Sequence, residues 1–287
     1  MKCGIDVGST LIKAVTKHGN GFMYRSTANV TKKQLIDSLV EDGVDEVLAT
    51  GIGTYDLPLR HSDTRNAHPL SEIQMQVAGT KELMLREGMP LMEYCLVSMG
   101  TGISYTSVEN FEHFHLPVGN PIGGGYLIGM SKLLLAGKAA CNDSKAIFES
   151  LDSNALDYMD NVCLQYSGPD LLYKDISKEG NGNIAGEMVI ACCAQLAQHS
   201  SIETICFSLL NTVAIGIIKD LMMYKGSDSY KSNDIVCIGN VSKSEALQKL
   251  LSKYGSTLGL KFHFPMWGEY AGALGALLKL EKKALIK

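Results

Sequence analysis

Two stretches about ninety residues apart share one layout, and that repetition constrains the fold more than any other feature of the chain. In the first, residues 2–7 are strand-like, Gly8-Ser9-Thr10 breaks the run, and Leu11 to Val15 resumes it before the turn His18-Gly19-Asn20-Gly21. In the second, Tyr94 to Ser98 is apolar, Gly100-Thr101-Gly102 interrupts it, and Ile103 to Val108 continues as a strand. Strand, glycine turn and strand make a hairpin. Two such openings predict two related domains rather than one long sheet, placed at 1–92 and 93–287. The length of 287 residues agrees with that division, at about 150 residues per domain.

Between the openings, Lys32 to Glu41 reads as an amphipathic helix, Glu46 to Thr50 as a short strand, and Ser71 to Arg86 as a helix with apolar residues at Ile73, Val77, Leu83 and Leu85. The second half adds a turn at Gly123-Gly124-Gly125 and a helix over Tyr126 to Leu135. Further helices are predicted across 145–166, 184–224, 243–254 and 269–283, with a strand at Asp234 to Ile238. Residues 180–183 and 226–233 read as surface loops. The class is mixed α/β, with a cleft expected between the halves.

Composition excludes several functions. The 26 Lys and Arg against 30 Asp and Glu leave a net charge of −4, so no field favours nucleic acid or an anionic membrane. The most apolar stretch, Cys206 to Ile218, carries Ser208, Asn211, Thr212 and Gly216 and falls short of the roughly 20 apolar residues of a membrane helix. Strand-like sequence begins at once, without the apolar core and small cleavage residues of a signal peptide, so a cytoplasmic location is expected. The eight cysteines form no C-x-x-C pair and read as reduced thiols. Cys192-Cys193 is assigned to the core of an apolar helix.

Glycine turns let a phosphate approach backbone N–H groups that a side chain would block. The usual phosphate motifs are missing: there is no G-x-x-x-x-G-K-[ST], since Gly137-Lys138 lacks the upstream glycine and the following hydroxyl, and no G-x-G-x-x-G opens a helix. Nor is there a G-x-S-x-G or a kinase H-R-D with D-F-G. These gaps disfavour Walker ATPases, Rossmann dehydrogenases, serine hydrolases and protein kinases.

Gly4-Ile5-Asp6-Val7-Gly8-Ser9-Thr10 with Leu11-Ile12-Lys13, and Ser98-Met99-Gly100-Thr101-Gly102-Ile103-Ser104, resemble the two phosphate motifs of the actin, hexokinase and sugar-kinase superfamily. Within it the chain most resembles the type II pantothenate kinases. Lys13, Glu72 at a helix start, Gly123 to Gly125 before a helix, and Gly268-Glu269-Tyr270-Ala271-Gly272-Ala273-Leu274-Gly275-Ala276 stand in that family's order. The resemblance implies two actin-like (ribonuclease H-like) domains, use of ATP and Mg²⁺, a small alcohol such as pantothenate as acceptor, and a homodimer.

Residue by residue, the resemblance gives Asp6 a metal role held through water, where a turn-capping Asp is the alternative. Lys13 would meet phosphate; otherwise it is a solvated strand lysine. Glu72 would be the general base, although a first-turn glutamate is favoured by the helix dipole alone. Gly8, Ser9, Thr10, Gly100, Thr101, Gly102 and Gly123 to Gly125 would clamp the β- and γ-phosphates, and Gly239-Asn240 would meet the adenosine. His113 and His115 alternate on one strand face but lack a third metal ligand, so they read as an exposed or substrate-lining pair. The family's arginine before the Gly-rich turn is absent from 113–121, leaving His113, His115 and Asn120 as partners for a pantothenate carboxylate. Pantetheine therefore stays open as acceptor. So do an ATPase activator of the 2-hydroxyacyl-CoA dehydratase type, although Ile122 stands before Gly123 where those activators place a cysteine, and a nucleotide sensor without catalysis.

Overall fold

The computed structural model describes residues 1–27, 30–51, 62–63, 69–110, 112–135, 143–161, 170–176, 189–197 and 200–285. Gly137-Lys138, Cys141, Cys163 and the loop 180–183 lie outside them. In chain order the elements are β1 (Lys2–Val7), β2 (Ile12–His18), β3 (Gly21–Ser26), α1 (Lys32–Glu41), β4 (Glu46–Thr50), β5 (Ser62–Asp63), α2 (Pro69–Arg86), β6 (Glu93–Met99), β7 (Ile103–Glu109), β8 (Glu112–His115), α3 (Gly124–Leu134), α4 (Ser144–Asn161), β9 (Leu171–Leu172), α5 (Tyr173–Ile176), β10 (Val189–Ala191), α6 (Ile202–Gly226), β11 (Asp234–Ile238), α7 (Glu245–Thr257), β12 (Lys261–His263) and α8 (Ala271–Leu285). They form two compact units, one of 1–119, 229–240 and 263–287, the other of 120–228 and 241–262.

The first unit holds the duplication. One sheet runs β3-β2-β1-β4-β5 and the other β12-β11-β6-β7-β8. In each, three consecutive strands pair antiparallel, and a later strand joins the first in parallel: β4 beside β1, β11 beside β6. Strand alternation sorts the side chains of β1. Cys3, Ile5 and Val7 pack with Leu35 and Leu39 of α1, a helix started by a capping box in which Thr31 Oγ1 accepts from Gln34 N at 3.2 Å and Gln34 Oε1 from Thr31 N at 2.9 Å.

Gly4 and Asp6 take the opposite face, toward α8. A Cβ on Gly4 would fall on the Ala273 carbonyl. Helices α2 and α8 meet backbone to backbone, because Gly79 lies against the Ala271 carbonyl and Gly275 against that of Met75. Around this crossing Val77, Leu83, Leu274 and Leu277 share one core with Val15 of the first sheet and Tyr94, Leu96, Val108, Val236 and Ile238 of the second.

In the second unit α4 packs on α6 and α7, and α3 on α4 and α6. Asp152 of α4 accepts from Ser244 Oγ at 2.6 Å, Glu245 N at 3.1 Å and Ala246 N at 2.9 Å, capping α7. The buried Asp170 accepts from Cys193 N at 2.6 Å and Asn211 Nδ2 at 2.5 Å, and Asn211 Oδ1 accepts from Tyr254 Oη at 2.7 Å. By length and apolarity α6 could cross a bilayer, yet most of its apolar window is buried in the protein.

The structure corrects the helix expected over 184–224. Val189–Ala191 is a strand, Cys192 and Cys193 follow in a turn, and α6 starts only at Ile202, where Ser201 accepts from Thr204 N at 3.2 Å. Cys193 has a left-handed φ of 60°, which no helix interior accommodates, and both cysteines are half-exposed. Strand β3 beyond the turn at Gly19 and the short β12 were not anticipated; burial along β3 shows no two-face alternation, and β12 has only three residues.

Candidate active site

The first glycine turn connects β1 to β2, and its register sets Asp6 directly across from Lys13. On the other side Asp6 pairs with Thr50 of β4, whose buried Oγ1 has no hydrogen-bond partner among the described residues. Two glycines flank the Asp6 carboxylate. A Cβ on Gly51 would lie 2.9 Å from Oδ1 and one on Gly272 2.9 Å from Oδ2. Burial pushes the Asp6 carboxyl above the ordinary carboxylate range, and the Lys13 ammonium pulls it partly back.

Glu72 lies in the first turn of α2, half-buried, and accepts from Gln76 Nε2 one turn later at 3.2 Å. Burial and the Asp6 charge push its carboxyl from 4.5 up to about 7, against the pull of Lys13. Two carboxylates and one ammonium therefore share a single electrostatic neighbourhood at the end of the first hairpin. Such a group can exchange a proton near neutral pH.

The second turn meets the first. Ser9 Oγ lies 2.7 Å from Thr101 Oγ1, and Thr10 Oγ1 lies 3.3 Å from the same atom. Gly100 N donates to Gly102 O at 2.9 Å, closing the second turn. Gly239, at φ 95°, sits so close to the Met99 backbone that a Cβ would collide with the Met99 carbonyl. The structure thus brings Gly8 to Thr10, Gly100 to Gly102 and the Gly239-Asn240 step together. Gly123 caps α3 without a side-chain hydrogen bond, and Gly124 and Gly125 are its first helical residues.

His113 and His115 occupy one face of β8, with Phe114 exposed on the other. His115 Nδ1 is 3.3 Å from Thr106 Oγ1, and burial lowers the imidazole below its usual 6.5. Asn120 is committed within the protein: its Nδ2 donates to Asp220 Oδ2 at 2.7 Å and its Oδ1 accepts from Ile122 N at 2.8 Å. No cluster of three metal-ligating side chains occurs among the described residues. Sequence reasoning missed Gly51, Gln76 and Asp220. Gly51 follows a strand and Gln76 stands one helical turn from Glu72, so both had a local signal; Asp220 is a hundred residues from its partner and had none.

No protein-family model matches the chain. It is 27% identical to a type II pantothenate kinase of Staphylococcus epidermidis across 96% of this chain and 99% of that protein. To a type II pantothenate kinase of Staphylococcus aureus it is 25% identical, across 98% and 100%. Among solved structures, the activator of the 2-hydroxyisocaproyl-CoA dehydratase from Clostridium difficile with bound ADPNP has a TM-score of 0.64 at 16% identity, covering 100% of this chain and 98% of that one. Component A of the (R)-2-hydroxyglutaryl-CoA dehydratase from Acidaminococcus fermentans has a TM-score of 0.63 at 19% identity, covering 99% and 98%. At those identities the solved structures speak for the fold alone. The chain has the actin-like ATPase fold, and along nearly all of its length it is similar in sequence to a group of enzymes, the type II pantothenate kinases.

Proposed function

We propose that the chain transfers the γ-phosphoryl group of ATP to the primary hydroxyl of pantothenate in the cytoplasm, the first step of coenzyme A biosynthesis. The observation that carries this reading is Glu72, a carboxyl raised to about 7 beside Asp6 and Lys13, on a chain whose curated relatives are type II pantothenate kinases. A base in that range takes up the acceptor's hydroxyl proton as the oxygen attacks, without being idle through full protonation at neutral pH. Gln76 Nε2, 3.2 Å away, holds one oxygen of the carboxylate and leaves the other for the acceptor.

Mg²⁺ fits the residues present. Asp6 is a hard oxygen donor whose negative charge burial disfavours, and Gly51 and Gly272 leave its two oxygens the room that side chains would fill. A cation bound through one or two carboxylates and several waters is the usual Mg²⁺ arrangement, and when bound it would offset triphosphate charge. Lys13 adds a second positive charge, and the hydroxyls of Ser9, Thr10 and Thr101 with the glycine amides of the two hairpin turns would supply donors to phosphate oxygens. Little covalent work is left to the protein, because phosphoryl transfer depends on position and charge neutralisation. On the acceptor side His113 and His115 offer hydrogen bonds, His115 as a neutral imidazole at pH 7.

An ADP-release screen over pantothenate, pantetheine and common sugars with Mg-ATP tests the reading. Release that depends on pantothenate supports it, and release with pantetheine alone moves the acceptor. The likeness to dehydratase activators favours a second reading, an ATPase coupled to electron transfer. Substrate-independent ADP release by a purified protein that contains iron would select it.

A further inference from the structure

Thr50, the last residue of β4, carries a polar group that the packing of the first unit does not use. Strand alternation sorts β4 as it sorts β1. Val47 and Ala49 pack with α1, while Leu48 packs with Met75 of α2 and with Ala276 and Leu280 of α8. Thr50 therefore shares the α2 and α8 face with Leu48, and its register partner on that face is Asp6. Lys13 stands in register on the other side of Asp6, so ammonium, carboxylate and hydroxyl form one row across three adjacent strands. Thr50 is fully buried, and its Oγ1 has no hydrogen-bond partner among the described residues. A buried hydroxyl left unpaired is disfavoured relative to a methyl group of the same shape, and valine suits a strand at least as well. Packing alone thus gives no reason for an oxygen at this position. Thr16 of β2 is a second buried hydroxyl of this kind. It pairs with Cys3 and Met23 and lies with Ala14 on the α1 face, away from Asp6.

We propose that Thr50 is a positioning residue for Asp6, its hydroxyl donating to the Asp6 carboxylate when that carboxylate holds a divalent cation. Adjacent strands lie about 4.8 Å apart, so rotation of the Thr50 side chain between staggered positions brings the two groups within reach without moving the backbone. Gly51, at φ 95°, turns the chain against Asp6 Oδ1 directly after Thr50. A carboxylate held by a donor on one side and facing the Lys13 ammonium on the other has its remaining lone pairs fixed in direction, as partners of metal-binding groups generally do. The inference rests on the Mg-ATP reading above and adds to it a residue that touches neither nucleotide nor acceptor.

The full-length chain is compared with Thr50→Val, Thr50→Ser and the control Thr16→Val. Urea midpoints are measured on the ligand-free protein in chelator. ATP dissociation constants are measured by calorimetry in saturating Mg²⁺ and in chelator, and their ratio is the Mg²⁺ gain. Thr50→Val should keep or raise the urea midpoint, because it removes an unpaired buried oxygen. It should cut the Mg²⁺ gain by roughly tenfold, the scale of one lost hydrogen bond to a charged group. Thr50→Ser should lower the midpoint, because it deletes a buried methyl, yet hold the gain within about threefold of the unmodified chain. Thr16→Val should match Thr50→Val in urea and leave the gain unchanged. In an Asp6→Asn background, Thr50→Val should alter ATP binding no further. A Thr50→Val chain that does not fold, or that unfolds at lower urea, shows the hydroxyl to be bonded in the free protein and overturns the proposal. An intact gain in Thr50→Val overturns it too, as does an equal loss of gain in Thr50→Ser or in Thr16→Val, or a further effect in the Asp6→Asn background. An unmodified chain that binds ATP with no Mg²⁺ gain removes the cation at Asp6 and the role of Thr50 together, and one that binds no ATP removes the nucleotide reading as well. A normal gain that Thr50→Val leaves untouched removes the role of Thr50 alone.

Discussion

Glu72→Gln separates a desolvated base from an ordinary first-turn glutamate by stability as well as by rate. A rise from 4.5 to about 7 at about 1.4 kcal/mol per unit is worth about 3 kcal/mol, and solvent on the part of the side chain left exposed reduces this to about 1–3 kcal/mol. The sign follows from linkage. A carboxyl whose pKa is raised in the folded state lends stability that is fully present below 4.5 and lost as pH rises through about 7. Glutamine has no charge to lose. The variant should therefore match the parent near about pH 4.5 and exceed it by about 1–3 kcal/mol near about pH 8. Urea denaturation of the ligand-free protein in chelator, at both pH values, reads the difference. Turnover in the variant should fall by about 100- to 10,000-fold while ATP still binds. Equal stability at both pH values would show that the Glu72 carboxylate is not desolvated, and near-normal turnover would remove it as a base.

Asp6→Asn should fold at least as stably as the parent, because it removes a disfavoured buried charge, yet lose the Mg²⁺-dependent part of the ATP thermal shift; a nucleotide at a hundred times its dissociation constant should otherwise stabilise by about 2.7 kcal/mol. Gly275→Ala drives a methyl onto the Met75 carbonyl and should cost about 1–3 kcal/mol or more, with an unchanged denaturation midpoint counting against the close crossing of α2 and α8. Since burial lowers His115, any positive charge it lends a pantothenate carboxylate should be gone by about pH 7. The pantothenate KM should climb below that pH and level off above it, pantetheine should show no such climb, and parallel profiles would exclude His115 as the counter-charge.

Strands β1, β2, β4, β6, β7 and β11 were legible because their signals are local and periodic, whereas the edge strands β3 and β12 were not. Glu46–Thr50 and Asp234–Ile238 are short apolar runs between turn residues, and the two glycine turns announce the hairpins. Lys32–Glu41 was legible through its apolar spacing. The region between α4 and α6 was not. Its apolar composition suits a helix, whereas Cys193 is held in a left-handed turn by a hydrogen bond to Asp170 from twenty-three residues away. At the candidate site Asp6, Lys13 and Glu72 were picked out through the family resemblance, whereas Glu72's displacement comes from burial first and then from Asp6 on a different element. Asn120 read as a partner for a pantothenate carboxylate, whereas its amide is committed to Asp220 on α6.

Next to the turn the two copies of the hairpin differ in charge. In the first, the pair next to the turn is Val7 with Ile12, and the following pair is Asp6 with Lys13. In the second, Met99 pairs with Ile103 and the following pair is Ser98 with Ser104. The strand pairing repeats, but beside the turn only the first copy carries charged side chains, since the Glu93–Glu109 pair of the second lies at the far end of its strands. Placing both charges on one hairpin lets Lys13 offset Asp6 directly across the register, while the Ser98–Ser104 pair adds nothing to the repulsion that, after burial, lifts Glu72. A carboxylate in place of Ser98 would put a further negative charge on the corresponding strand of the second sheet, which packs against the same two helices that carry Glu72 and Gly272. The duplication supplies the scaffold, and burial together with the Asp6 charge, against the pull of Lys13, lifts Glu72 to about 7.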